Sequence, residues 1–258
     1  MPVTRLVAPA KLTLSLRVLG RRPDGYHDLE AEMVSVDLAD TLEVDGDGDG
    51  LVVDGDGIEI DAGPDNLVRR ALGAVGRQAG VRLVKRIPVG GGLGGGSSDA
   101  AAILRWAGEG DLTVAAALGA DVPFCVAGGR AMVEGIGDRV TPLPFEPRAF
   151  VLLVPTFGVD TGAAYATWDA MGSPTGGRND LTAAALAVRP ELAVWRECLG
   201  EATGREPLLA GSGSTWFVEG TLAELGLSGA AHLGPEGEEG RLVDVRTVPA
   251  GWAGPKLG

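Results

Sequence analysis

The stretch that decides the reading is Pro88-Val89-Gly90-Gly91-Gly92-Leu93-Gly94-Gly95-Gly96-Ser97-Ser98-Asp99-Ala100-Ala101. Six of the seven residues from 90 to 96 are glycine. Glycine loses more backbone freedom on ordering than any other residue, so the run is neither helix nor strand. Before it, Val81 to Ile87 alternates apolar and polar side chains with the period of a strand. After it, Ser98 to Ala107 reads as a helix, with Ser97 or Ser98 expected as its N-cap. A glycine loop that opens onto a helix N-terminus aims unpaired N–H groups, and the positive end of the helix dipole, at one point. Such a loop binds phosphate.

Two other phosphate loops fit this stretch less well. A Walker loop ends in Gly-Lys-Ser/Thr, whereas Gly96 is followed directly by Ser97. Gly90, Gly92 and Gly95 satisfy the dinucleotide pattern G-x-G-x-x-G. That fold also needs an acidic residue about twenty positions on, at the end of a second strand. Asp111 is the nearest, and it falls in a turn between helices.

A chain of 258 residues can bury a sizeable core, as one large domain or two of ordinary size. Its net charge of −13 leaves no basic stripe for phosphate backbones, which argues against nucleic acid as a partner. Cys125 and Cys198 stand far apart, in no metal or redox spacing, and read as reduced thiols of a cytosolic protein. Ala149 to Val154 suits a buried strand and is far too short to span a bilayer. The N-terminus carries no charged-then-apolar signal pattern, so no membrane is expected and a cytoplasmic location is. Oligomeric state is left open.

Strand-like alternation runs from Arg5 to Val18, with further strands expected at Ala31–Leu38 and Thr41–Val44. Helices are expected at Asn66–Gly80, started by Pro64-Asp65, and at Leu112–Leu118, with Asp111 as N-cap. The proline-punctuated segment Pro142–Pro147 is the expected boundary between a domain of residues 1–145 and one of residues 146–258. Beyond it come a glycine-rich loop (Gly172 to Asp180), helical stretches near 181–202 and strands around Thr215–Val218 and Arg241–Val245. This mixture indicates an α+β fold. Asp45-Gly46-Asp47-Gly48-Asp49-Gly50-Leu51 with Asp56 mimics an EF-hand calcium loop, but strands rather than helices flank it. It is expected to be a solvated acidic hairpin turn.

The glycine stretch resembles the second motif of the GHMP kinases, which phosphorylate small molecules. Ala8-Pro-Ala-Lys-Leu-Thr-Leu14 is similar to that family's first motif, and Ala210-Gly-Ser-Gly-Ser-Thr215 to its third. Gly20 to Leu29 and Leu118 to Phe124 resemble the branch whose acceptor is cytidine diphosphate-linked methylerythritol, in non-mevalonate isoprenoid synthesis. Gly135 to Asp138 and Asn179-Asp-Leu181 add weaker matches. The resemblance implies a two-domain GHMP kinase fold with the active site in the cleft between domains, an ATP and Mg²⁺ requirement, and this small-molecule substrate.

Transfer of a γ-phosphoryl group requires a triphosphate holder, charge neutralisation and an oriented hydroxyl. Pro88 to Ser98 is expected to hold ATP, with the Ser98 hydroxyl reaching Mg²⁺. Asp121 follows a helix-end signal, Gly119-Ala120, and precedes Val122-Pro123, which is expected to hold the chain extended. By motif match it takes the place of the catalytic aspartate. Lysine in a strand such as Val7–Leu14 is ordinarily an edge charge facing water; the resemblance instead makes Lys11 the active-site lysine, paired with Asp121. Tyr26 and His27 are implied to recognise the cytidine end, by a flat face and an edge hydrogen bond, with Tyr165 as a further stacking candidate. Thr13 stands where the family has Asn, in a substrate-binding position. The segments from Ser98 to Asp121 and around Gly172–Pro190 are shorter than usual for the family. These departures leave two alternatives: another GHMP kinase with a different alcohol acceptor, and a catalytically inactive nucleotide-binding homologue.

Overall fold

Two long strands, β1 (Thr4–Arg21) and β2 (His27–Asp45), form the frame on which the site is built. The structure is a computed structural model that describes residues 2–55, 61–236 and 238–254. β1 pairs antiparallel with β2 along almost its whole length. The opposite edge of β2 is shared. Residues 41–45 pair with β4 (Gly80–Lys85) and residues 29–34 with β5 (Arg130–Gly135). β3 (Leu51–Gly55) lies parallel to β4, and β6 (Arg139–Pro142) antiparallel to β5. The two strands expected at 31–44 are therefore one. The acidic turn is not a hairpin, because β4 lies between β2 and β3; Asp56 is outside the described residues. Among the described residues, no group of three or more His, Cys, Asp or Glu could hold a metal ion.

β1 changes its facing twice, and this places Lys11. The register shifts between Pro9 and Lys11 and again between Thr13 and Ser15. Each irregularity moves the period-two alternation by one residue, as a β-bulge does. Ala8, Leu16 and Val18 consequently join one core, while Ala10, Leu12 and Leu14 between the bulges join another. Lys11 and Thr13 are left on the opposite side from Leu12, within the protein. Lys11 is 5 % exposed, so the edge-strand reading is corrected.

Four helices cover the first sheet. α1 (Leu67–Ala74) is capped by Asn66, whose side chain accepts from Val68 N at 2.9 Å. It stops well short of Gly80, where β4 begins. α2 (Gly95–Ala107) is buried across Ser98–Leu104 and forms the centre of the first core. α3 (Leu112–Leu118) starts at Asp111 as expected. α4 (Val122–Ala127) corrects the extended reading of Val122-Pro123. Proline is tolerated in a helix's first turn, where its missing N–H has no partner to lose.

The second sheet has the order β10 (His232–Leu233), β11 (Gly240–Arg246), β7 (Ala149–Val154), β9 (Trp216–Glu219), β8 (Leu208–Leu209). Its helices are α5 (Thr161–Ala170), α6 (Thr182–Val188) and α7 (Leu192–Thr203). β7 is buried on both faces. Val151 and Leu153 meet Leu192, Trp195 and Leu199, while Phe150, Leu152 and Val154 meet Leu12, Leu14, Val34 and Val36 of the first sheet. Cys125 is buried and Cys198 partly so, both as free thiols; burial pushes Cys125 up to about 12. Among the described residues, no helix is long and apolar enough to cross a membrane.

Candidate active site

The glycine stretch links the end of β4 to α2, and Gly90, Gly92 and Gly94 all have positive φ. Such alternation curls the chain so that successive N–H groups converge. Helix α2 starts at Gly95, with Gly94 as N-cap at φ 68° and no side-chain cap. The serine-cap expectation is corrected: Ser98 is already in the second turn, fully buried, and its hydroxyl donates to Pro9 O at 2.5 Å. Ser97, not Ser98, lines the cavity beside the loop. The loop interlocks with its neighbours too closely for side chains. A methyl on Gly92 would sit 2.1 Å from Ala210 O, and one on Gly94 would sit 2.7 Å from Lys11 Cγ. Lys11 N donates to Leu93 O at 3.0 Å, which seats the loop on the first β1 bulge.

Beside this loop Lys11 Nζ lies 3.3 Å from Asp121 Oδ2 and donates to Thr13 Oγ1 at 3.2 Å. Asp121 is the residue before α4, and its side chain is 32 % exposed, open to the cavity. Gly137 fixes the backbone here, since a methyl on it would lie 2.2 Å from Ala120 O. The weak Gly135–Asp138 match thus marks a packing point under Asp121. Asn179 binds Leu209 O and Gly211 O through its amide, and Asp180 accepts from Val18 N. Asn179 thus holds the third glycine turn and Asp180 holds β1, and neither lines the cavity.

The cavity is about 470 Å³, within the range of small-molecule sites. Lys85 and Asp99 on its wall belong to a charge cluster that sequence reasoning did not find. Lys85 Nζ donates to Asp40 and to Asp99 Oδ2, the latter at 2.7 Å. Asp40 is fully buried in the gap between β4 and β5 on β2, and its Oδ1 accepts from Arg86 N and Ile87 N. Asp99 meets Lys85 through Oδ2, and its buried Oδ1 has no partner among the described residues. Burial first, then the Asp40 charge, push the Asp99 carboxyl up to about 7. Burial opposes the Lys85 charge, but the two carboxylates outweigh it and raise its pKa. One signal was available: Lys85 has the parity of Val81 and Leu83, the inward face of β4.

The cavity continues into a second one of about 480 Å³, the two sharing Leu29, Ala120, Thr161 and Tyr165 as walls. Tyr26, His27 and Tyr165 line this outer part. Tyr26 is 60 % exposed, a flat ring at the rim. His27 stacks on Tyr165 with centroids 4.8 Å apart and an interplanar angle of 27°. Burial pushes the Tyr165 phenol up to about 12, so it stays protonated. Thr161 and Ser212 join their hydroxyls at 2.9 Å, bridging α5 and the third glycine turn. Every residue expected in the site except Ser98 therefore borders one continuous cleft or, like Gly91, lies in the loop that forms its wall.

Residues 66–129 match the GHMP kinases N terminal domain. A 4-diphosphocytidyl-2-C-methyl-D-erythritol kinase of Moorella thermoacetica is 41% identical over 190 residues, 66% of this chain and 65% of the relative. One of Methylibium petroleiphilum is 36% identical over 280 residues, covering 96% of each chain. The crystal structure of a 4-(cytidine 5'-diphospho)-2C-methyl-D-erythritol kinase superposes with a TM-score of 0.71 at 32% identity, over 95% of this chain and 100% of that one. With glycine loop, lysine–aspartate pair and aromatic wall on one cleft, and relatives matched nearly end to end, the chain belongs to the 4-diphosphocytidyl-2-C-methyl-D-erythritol kinases, within the GHMP kinases.

Proposed function

We propose that the chain moves the γ-phosphoryl group of ATP onto the 2-hydroxyl of 4-diphosphocytidyl-2-C-methyl-D-erythritol. The observation that carries this reading is the Lys11–Asp121 pair, 3.3 Å apart, on a cavity that the glycine loop also lines and that continues into one lined by Tyr26, His27 and Tyr165. In the reaction, the acceptor oxygen bonds to the γ-phosphorus as the bond to the β,γ-bridging oxygen breaks, and ADP leaves. Asp121 takes the hydroxyl proton. The Lys11 ammonium steadies the negative charge that develops on the oxygens. Convergent N–H groups of residues 90–97 hold the triphosphate in line. Thr13 is kept on the acceptor side by its bond to Lys11.

Magnesium fits as an ion carried in on the triphosphate, because it keeps most of its waters and takes few protein ligands. Ser97 carries the glycine loop's hydroxyl on the cavity wall and would join its shell, and no group of three or more acids among the described residues competes for it. When bound, the ion neutralises phosphate charge. Tyr26 and Tyr165 would sandwich the pyrimidine, and His27 would read its edge. The test is ADP release from purified protein and Mg-ATP, with and without the acceptor. Release that depends on the acceptor is expected. Release that is the same without it, or that appears only with homoserine or mevalonate, would refute the reading.

A further inference from the structure

His27 has a partner that decides what its ring can read. Asp169, on α5 one turn after Tyr165, places Oδ1 2.9 Å from His27 Nε2. Its other oxygen lies 3.7 Å from the Arg21 guanidinium. A carboxylate has acceptors only, so this hydrogen bond requires the proton on Nε2. The ring cannot easily turn away, because Tyr165 stacks on it and Trp168 meets it edge-on at 5.8 Å and 85°. Nδ1 makes no hydrogen bond among the described residues, and His27 lines the outer cavity. In the neutral ring with Nε2–H, Nδ1 is an acceptor.

We infer that Asp169 is a positioning residue that sets pyrimidine specificity by holding His27 in the Nε2–H tautomer. The inference rests on reading the outer cavity as the pyrimidine diphosphate end of the acceptor site. The Nδ1 lone pair accepts from the 4-amino group of cytosine. Against the 4-carbonyl of uracil it meets another lone pair, so the same geometry repels. Asp169 touches neither base nor phosphate in this account and acts only through the proton on His27. Replacing a carboxylate by an amide at such a position leaves geometry intact but allows the amide N–H to donate to Nε2, which turns the ring into the other tautomer.

The test is calorimetric titration of CDP and UDP into wild type, Asp169→Asn, Asp169→Ala and Asp169→Glu, with the nucleotide loop saturated by a non-hydrolysable ATP analogue. Wild type is expected to prefer CDP by at least about tenfold, the scale of one hydrogen bond at a base edge. In Asp169→Asn the ratio should fall to unity or invert, through weaker CDP binding and stronger UDP binding. Asp169→Ala should lose the preference, and Asp169→Glu should restore part of it, with affinity for the ATP analogue unchanged in all. If the substitutions weaken CDP and UDP alike, or leave the ratio as in wild type, Asp169 is only a packing residue and the inference fails. Acceptor turnover is followed in parallel. A protein that discriminates CDP from UDP through Asp169 yet phosphorylates no acceptor would sink the proposed reaction and leave this inference standing; one that binds neither would sink both.

Discussion

Asp121 and Asp99 border the same cleft and do different things because their neighbours differ. Asp121 is partly exposed beside one ammonium, where we propose it takes the proton of a hydroxyl. Replacing it by Asn should lower kcat by about 10²–10⁴ while the KM for ATP stays close to wild type, as measured by steady-state ADP release. Asp99 is buried and shares Lys85 with Asp40, so its carboxyl is pushed up to about 7. An unfolded chain loses that proton near pH 3.9. Between those values the native state holds a proton that the unfolded state has released, so stability falls as pH rises through the window. Asp99→Asn keeps the shape without the charge. The melting temperature of the variant relative to wild type should therefore be higher at pH 8 than at pH 5; an offset independent of pH would show that Asp99 titrates normally. Lys11 and Asp121 were legible because each sits in a motif. Asp40 and Asp169 were not, since each acts on a partner 45 or 142 residues away through a gap in β2 or a helix face.

At the scale of elements, the glycine loop was legible in place but not in its details. The helix begins at Gly95 because Gly94, at φ 68°, turns the chain into it, and packing of Ala100 to Leu104 outweighs the poor helix propensity of Gly95 and Gly96. Ser98, which looks like a cap, is drawn inside by the same packing, while Ser97 stays on the cavity wall. Gly92 combines a φ of +79° with a carbonyl 2.1 Å from where a methyl would stand. Gly92→Ala should raise the KM for ATP at least about tenfold and cost 1–3 kcal/mol, roughly, of overpacking strain, checked by kinetics and urea titration together. An unchanged KM would mean that the loop's shape is not what holds the nucleotide. Helix α4 escaped notice because the rule that the residue before proline is extended is a bias, and a first-turn proline satisfies a helix equally well.

Across the whole molecule, the two sheets are joined through one shared core. Ala10, Leu12 and Leu14, between the β1 bulges, pack against Phe150, Leu152 and Val154 of β7. The α+β class followed from the order of strands and helices. The junction did not, because a bulge that changes a strand's facing has no composition of its own. We propose that a domain of residues 1–145 and one of residues 146–258 form folding partners rather than independent units. Expressed alone, residues 1–145 should expose this apolar face and fail to give dispersed amide resonances, and a well-folded fragment would contradict that. In the full chain, Leu12→Ala should cost about 2–5 kcal/mol in chemical denaturation, with kcat little changed in the folded protein.

Everything proposed for the cleft turns on transfer of the γ-phosphoryl group to an alcohol by the Lys11–Asp121 pair. The most direct measurement is phosphorus NMR of 4-diphosphocytidyl-2-C-methyl-D-erythritol incubated with Mg-ATP and either wild type or Asp121→Asn. Wild type should produce ADP and one new phosphomonoester resonance, with the acceptor's own diphosphate intact and almost no signal from the variant. Free inorganic phosphate without a phosphomonoester, or an equal product from the variant, would contradict the account.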